Sequence, residues 1–158
     1  MTTQVDAMSD KDPVILMTRV FDAPRELIWR VCTDPAHVMH WWGGQGFTNP
    51  VCEMDLRVGG VWRHVMRAQD GSEFTFNFIF SEIQPPERLA WRTHDARPGG
   101  PPSLLQTITL DDLGDGRTRW TLVGRADSFA DRDAAVRAGY SGVISQSLDR
   151  LADYIKTL

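Results

Sequence analysis

Cysteine is scarce in this chain, long apolar runs are missing, and neither sign of charge gathers into a block. Each lack removes a class of function. The two cysteines among 158 residues, Cys32 and Cys52, form no CxxC pair and have no histidine at zinc spacing. Neither a disulfide framework nor a zinc site is expected, and both are read as buried free thiols. No apolar run approaches the roughly 20 residues a membrane span needs. The stretch from Met1 to Pro13 has no basic region leading into an apolar segment, so the expected setting is the cytoplasm. Seventeen basic and 21 acidic residues, net charge −4, are spread along the chain. Without a Lys/Arg run to neutralise phosphates, nucleic acid is not an expected partner. The glycines of Gly43-Gly44-Gln45-Gly46 lack the Lys-Ser/Thr of a phosphate loop, and no G-x-S-x-G elbow presents a serine nucleophile. No metal, cofactor or catalytic residue is assigned.

What remains is one domain's worth of core, at 42% hydrophobic residues. Residues 1–13 read as a flexible tail and 14–158 as a single domain. Val14 to Phe21 is a β-rich run. Asp22 can cap and Pro24 can enter the first turn of a helix to Cys32, whose Leu27, Ile28 and Val31 share a face. Asp34-Pro35 starts a short helix through Met39 by the same logic, and Trp41-Trp42-Gly43-Gly44 ends it. Strands follow at Val51–Leu56, Val61–Ala68, Leu89–His94, Leu104–Leu110 and Thr118–Val123, separated by turn-forming residues and a Pro/Gly-rich loop at 97–102. The alternation of Phe74, Phe76, Phe78 and Phe80 with polar or smaller residues marks one more, with all four rings on one face. From Val136 through Tyr140, Val143, Ile144, Leu148 and Leu151 to Ile155 the period becomes helical, predicting one long amphipathic helix. Gly139 and Gly142 within it suggest a close backbone approach, room kept beneath the helix, or a helix that starts later.

Strands followed by a helix predict an α+β fold, with a curved antiparallel sheet wrapped around the C-terminal helix and a cavity at the end stopped by the two short helices. The chain resembles the activator-of-heat-shock-protein-ATPase homologue branch of the START-like, birch-pollen-allergen-like helix-grip superfamily (SRPBCC). The likeness rests on Phe21-Asp22-Ala23-Pro24 with Trp29, Thr33-Asp34-Pro35 with Trp41-Trp42-Gly43, the Asp55–Gly60 turn, the Pro85–Leu89 turn, Gly116-Arg117-Thr118 and the Ser147–Leu151 run. Relatives that carry Gly-Trp four residues before the Leu-Asp-Arg-Leu run are matched here by Val143-Ile144. The resemblance implies a helix-grip fold and a ligand cavity. The chaperone-stimulating branch adds an N-terminal domain that does not appear here, so chaperone activation is not the expected role.

The expected function is binding of a small hydrophobic or amphiphilic molecule between sheet and C-terminal helix. Trp41, Trp42, Trp62, Phe76, Phe78, Trp91, Trp120, Tyr140 and Ile144 supply the apolar lining, and His64 and Gln106 the inward polar points by strand parity. Two other readings stay open: a cyclase or hydrolase in which His64 works with a carboxylate, and a protein-interaction module using a patch near Trp41-Trp42. His37 and His40, at i and i+3, read as a surface pair, and Asp55 with Arg57 as a turn brace. An exposed sheet edge leaves a homodimer possible.

Overall fold

The computed structural model describes residues 3–6, 11–94 and 103–158. The loop at 97–102, and residues 1–2 and 7–10 of the expected tail, lie outside the described residues. Eight strands form one antiparallel sheet in the order β1-β2-β8-β7-β6-β5-β4-β3. They are β1 (Gln4–Asp6), β2 (Val14–Phe21), β3 (Thr48–Met54), β4 (Val61–Arg67), β5 (Glu73–Gln84), β6 (Arg88–Thr93), β7 (Leu105–Gly114) and β8 (Arg117–Arg125). The helices are α1 (Arg25–Thr33), α2 (Pro35–Val38), α3 (Phe129–Arg137) and α4 (Tyr140–Ile155). From β3 to β8 each strand pairs with its sequence neighbour; the crossover that carries α1 and α2 leads from β2 to β3 at the far edge of the sheet, and β8 comes back to pair with β2. This is the expected α+β helix-grip arrangement. Among the described residues no helix is long and apolar enough to cross a membrane.

Three expectations are corrected. Gln4–Asp6 is not loose tail: it pairs with β2, Gln4 opposite Thr18 and Asp6 opposite Leu16. Backbone pairing can recruit a segment that has no hydrophobic pattern to announce it. The second correction concerns α1, which starts one residue later than expected, with Pro24 extended at its N-cap and no side-chain cap. The Pro24 carbonyl, accepting from Leu27 and Ile28 at 3.0 and 3.1 Å, closes the first turn in place of Asp22. At α2 the cap is the expected one, the Asp34 carboxylate accepting from the Ala36 amide at 2.9 Å.

Third, the long C-terminal helix is two helices. Gly139 takes φ +89°, a left-handed conformation that a side-chain-bearing residue adopts only at a cost, and it ends α3 and begins α4. A Cβ added at Gly139 or Gly142 would meet nothing within 4 Å, so close backbone approach does not explain either glycine. Helical periodicity survives the break because Val136 on α3 and Tyr140 on α4 both lean on the same core.

The inward residues of the sheet supply most of that core. Ile15, Met17 and Phe21 of β2 join Leu122 and Trp120 of β8, Ile108 and Leu110 of β7 and Trp91 of β6. Leu148 and Leu151 of α4, with Ile28 and Val31 of α1, close over them. The alternating phenylalanines of β5 grade from Phe74, 47% exposed against Phe47, through half-buried Phe76 to buried Phe78 and Phe80. The shared face is as expected; cover over it begins only partway along the strand.

Candidate functional site

The two adjacent tryptophans part company. Trp41 turns into the core and donates from Nε1 to the Val31 carbonyl at 3.0 Å, fastening the chain to α1. Trp42 stays half-buried and meets the inward face of the sheet, its ring 4.7 Å from that of Trp62 and 6.5 Å from those of Phe78 and Trp91. Trp62 also lies 4.8 Å from Phe78 and 5.4 Å from Trp91, and Phe76 stacks on Phe78 at 5.8 Å. These tilted and edge-on rings make an aromatic nest over β4, β5 and β6, with the quadrupole geometry such rings prefer. Trp120 does not belong to it. The ladder places Trp120 between Leu110 and Arg19, in another row of the inward face.

His64 lies fully buried beside the nest, at 0% exposure. Trp62 Nε1 donates to its Nδ1 at 3.1 Å, and its Nε2 is 2.7 Å from Asn49 Oδ1. An indole nitrogen can only donate, so Nδ1 is unprotonated and the Nε2 hydrogen goes to Asn49. Burial holds the imidazole pKa down at about 4, which agrees with that neutral form. Asn49 in turn donates from Nδ2 to the carbonyls of Met39 at 2.8 Å and Trp42 at 3.0 Å. The chain Trp62, His64, Asn49, Trp42 thus ties the strand floor to the tryptophan segment. His64 is inward, as strand parity predicts, and its ring partners are an indole and an amide, with no carboxylate hydrogen-bonded to it.

A second tie comes from α4. The Arg150 guanidinium donates to the carbonyls of Trp42, Gly43 and Gly44 at 2.9, 3.2 and 3.0 Å, and to His40 at 3.4 Å. Ser147 Oγ accepts from the Gly43 amide at 3.0 Å and donates to the Trp41 carbonyl, while Gln146 accepts from the Gln45 amide. Gly43 takes φ +92°, which turns these carbonyls toward α4. Asn49, Ser147 and Arg150 are the residues that sequence reasoning missed as site builders. Ser147 and Arg150 stood in the Ser147–Leu151 motif, polar positions on an otherwise apolar helix face. Asn49 sits at the irregular start of β3, where the pairing register shifts between Thr48 and Val51.

At the other end of the nest the ladder runs Phe80, Trp91, Gln106, Gly124 and Ile15 across five strands. Tyr140, from the first turn of α4, donates to Gln106 Oε1 at 3.1 Å. Its hydroxyl would lie 2.8 Å from a Cβ at Gly124, so the missing side chain there makes room for the phenol. Burial raises the Tyr140 pKa, which keeps it a neutral donor. Ile144, one turn on, packs half-buried against the same core.

The remaining candidates fall outside the nest. His37 Nδ1 lies 2.6 Å from the Tyr154 hydroxyl and His40 stacks on the same ring at 5.2 Å. Both histidines serve to dock α2 on α4, and no group of three metal-ligating side chains occurs among the described residues. Burial pushes the Cys32 and Cys52 thiols up to about 12 and 11, so neither is an activated nucleophile. Arg57 donates to Asp55 at 2.7 Å on the surface, the expected turn brace. A cleft of about 430 Å³ opens between β2 and the C-terminal half of α4, lined by Arg19, Phe21, Asp149 and Ile155 among others. None of the expected pocket residues lines it. The place expected to be hollow holds the interlocked rings of Trp42, Trp62, Phe78 and Trp91.

Comparisons with known proteins agree with this architecture. A family model described as Activator of Hsp90 ATPase homolog 1-like protein matches residues 22–156. No curated protein matches the chain. Among solved structures, a protein from Mycobacterium smegmatis is similar at 22% identity and TM-score 0.86, covering 99% of each chain. One from Nitrosomonas europaea is similar at 24% identity and TM-score 0.83, covering 94% of this chain and 97% of its own. A protein from Chromobacterium violaceum reaches 28% identity at TM-score 0.71, over 89% of this chain and 95% of its own.

Proposed function

Given that the chain belongs to the Activator of Hsp90 ATPase homolog 1-like family, we propose that it binds a small hydrophobic molecule between the inward face of β4–β7 and the first half of α4, without chemical turnover. The observation that carries this reading is the aromatic nest closed at one end by the Tyr140–Gln106 pair. Flat rings supply large contact area with few rotatable bonds, and two neutral polar groups sit beside them, the composition of a site for an apolar molecule with few heteroatoms. A ligand enters by displacing Trp42 or Tyr140 from the nest.

The histidine argues for binding over catalysis. A general base needs a free nitrogen within reach of the proton it takes. Both nitrogens of His64 are engaged, by Trp62 and Asn49, and the ring is neutral. It acts as a strut under the site.

Native mass spectrometry of the protein purified from its own host tests the proposal. The expected spectrum shows a retained small molecule, or a mass shift with members of a panel of aromatic compounds and fatty acids, accompanied by a change in tryptophan emission. A bare apo mass with every compound and unchanged emission would remove the binding reading.

A further inference from the structure

One buried polar atom of the nest has no partner among the described residues. Trp91 is 4% exposed, yet its buried indole Nε1 makes no hydrogen bond among the described residues. The contrast with its neighbours is direct: Trp41 Nε1 donates to the Val31 carbonyl and Trp62 Nε1 to His64. Buried N–H groups are almost always paired, because leaving one dry forfeits its hydration with nothing gained in return. Two acceptors on this part of the inward face are already engaged: Gln106 Oε1, on the residue opposite Trp91 in the ladder, accepts from Tyr140, and His64 Nδ1 accepts from Trp62.

We propose that the missing acceptor is supplied by the ligand, and that the ligand is a neutral, flat, ring-containing molecule whose carbonyl oxygen accepts from Trp91 Nε1. This rests on the binding reading above and narrows it to a chemical class. The rings of Trp42, Trp62 and Trp91 require flatness, since stacked or edge-on contact needs planar area. The surroundings require neutrality. His64 is uncharged, the Tyr140 phenol is uncharged, Arg19 on the inward face of β2 is ion-paired with Asp149, and the Arg150 guanidinium at the Trp42 end is committed to the carbonyls of Trp42, Gly43 and Gly44. A carboxylate brought to Trp91 would lose its hydration and meet no counter-charge. A hydrocarbon would fit the rings but leave the indole hydrogen dry.

Three matched probes separate these cases: acetylnaphthalene, ethylnaphthalene and naphthoate, equal in ring system and close in size, offering a neutral carbonyl, no acceptor and an anion. Calorimetric titration should find the ketone bound about three- to tenfold more tightly than the ethyl compound, the range of one neutral hydrogen bond, with naphthoate weakest. In Trp91→Phe the ketone should lose that advantage while the ethyl compound keeps its affinity. Proton–nitrogen correlation NMR of the wild-type indoles gives a readout that does not depend on the variant folding: the Trp91 N–H resonance should move downfield with the ketone and not with the ethyl compound. Equal affinity for ketone and ethyl compound, or a Trp91 resonance indifferent to the carbonyl, overturns the proposal and leaves hydrophobic binding standing. Failure of all three probes to bind overturns both.

Discussion

The two ends of the aromatic nest are built differently. At the Trp41–Gly44 end the backbone is stitched from two sides, by Asn49 on the sheet and by Arg150, Ser147 and Gln146 on α4. The Trp42 carbonyl alone accepts from both Asn49 and Arg150. At the Tyr140 end, α4 begins on a left-handed glycine with open space around it, and its first turn reaches the sheet, among the described residues, through a hydrogen bond to Gln106. A segment that reads as a flexible lip, two bulky rings followed by two glycines, is therefore the better anchored of the two. Glycines there serve to aim carbonyls at a guanidinium. Mobility is better served at Gly139, where few contacts would have to break.

The largest expected effect follows from breaking the stitched end. Arg150→Met keeps the aliphatic stem but removes the donor shared by four carbonyls, and should lower stability by about 2–3 kcal/mol. Urea unfolding would measure it, and hydrogen exchange should show loosened amides at Gly43 and Gln45. A loss within a few tenths of a kcal/mol would mean the guanidinium is not what holds the segment.

Next comes a pH effect through His64. Its folded pKa of about 4 lies below the ordinary 6.5, so between those values the unfolded chain binds a proton that the folded one refuses. Stability should therefore be complete above about pH 6.5 and fall as pH drops toward 4, with a slope of up to one proton. Comparing unfolding free energies of wild type and His64→Gln across that window isolates the effect, since the carboxylates are common to both. Parallel profiles would show that His64 titrates normally and that the Trp62–His64–Asn49 chain is misassigned.

The smallest effect belongs to the loose end. Tyr140→Phe removes a single neutral hydrogen bond and should cost about 0.5–1 kcal/mol, read as a small drop in the urea midpoint. A cost equal to that of Arg150→Met would erase the contrast between the ends.

Much of this molecule is legible along the chain. Period-two alternation in β4 and β5 places Trp62, His64, Phe76 and Phe78 on the inward face, because a strand's side chains have no other freedom than to alternate. Asp34-Pro35 announces α2 for an equally local reason, a carboxylate next to an unpaired amide. Where the outcome depends on what comes from elsewhere, local reading falls short. Periodicity ran straight through Gly139, since two helices leaning on one core keep the same apolar rhythm. Gln4–Asp6 carries no strand pattern and is held by β2.

The α+β class, the strand faces and the family likeness are legible in residue order, all consequences of short-range geometry. The folded chain alone reveals that Trp41 anchors while Trp42 joins the nest, that Trp62 occupies the basic Nδ1 of His64 while Asn49 takes its Nε2 hydrogen, and that Arg150 gathers backbone carbonyls more than one hundred positions away. Hydrogen-bond partnership depends on which donors and acceptors the closed fold leaves within about 3 Å of each other, and no spacing along the chain encodes that distance.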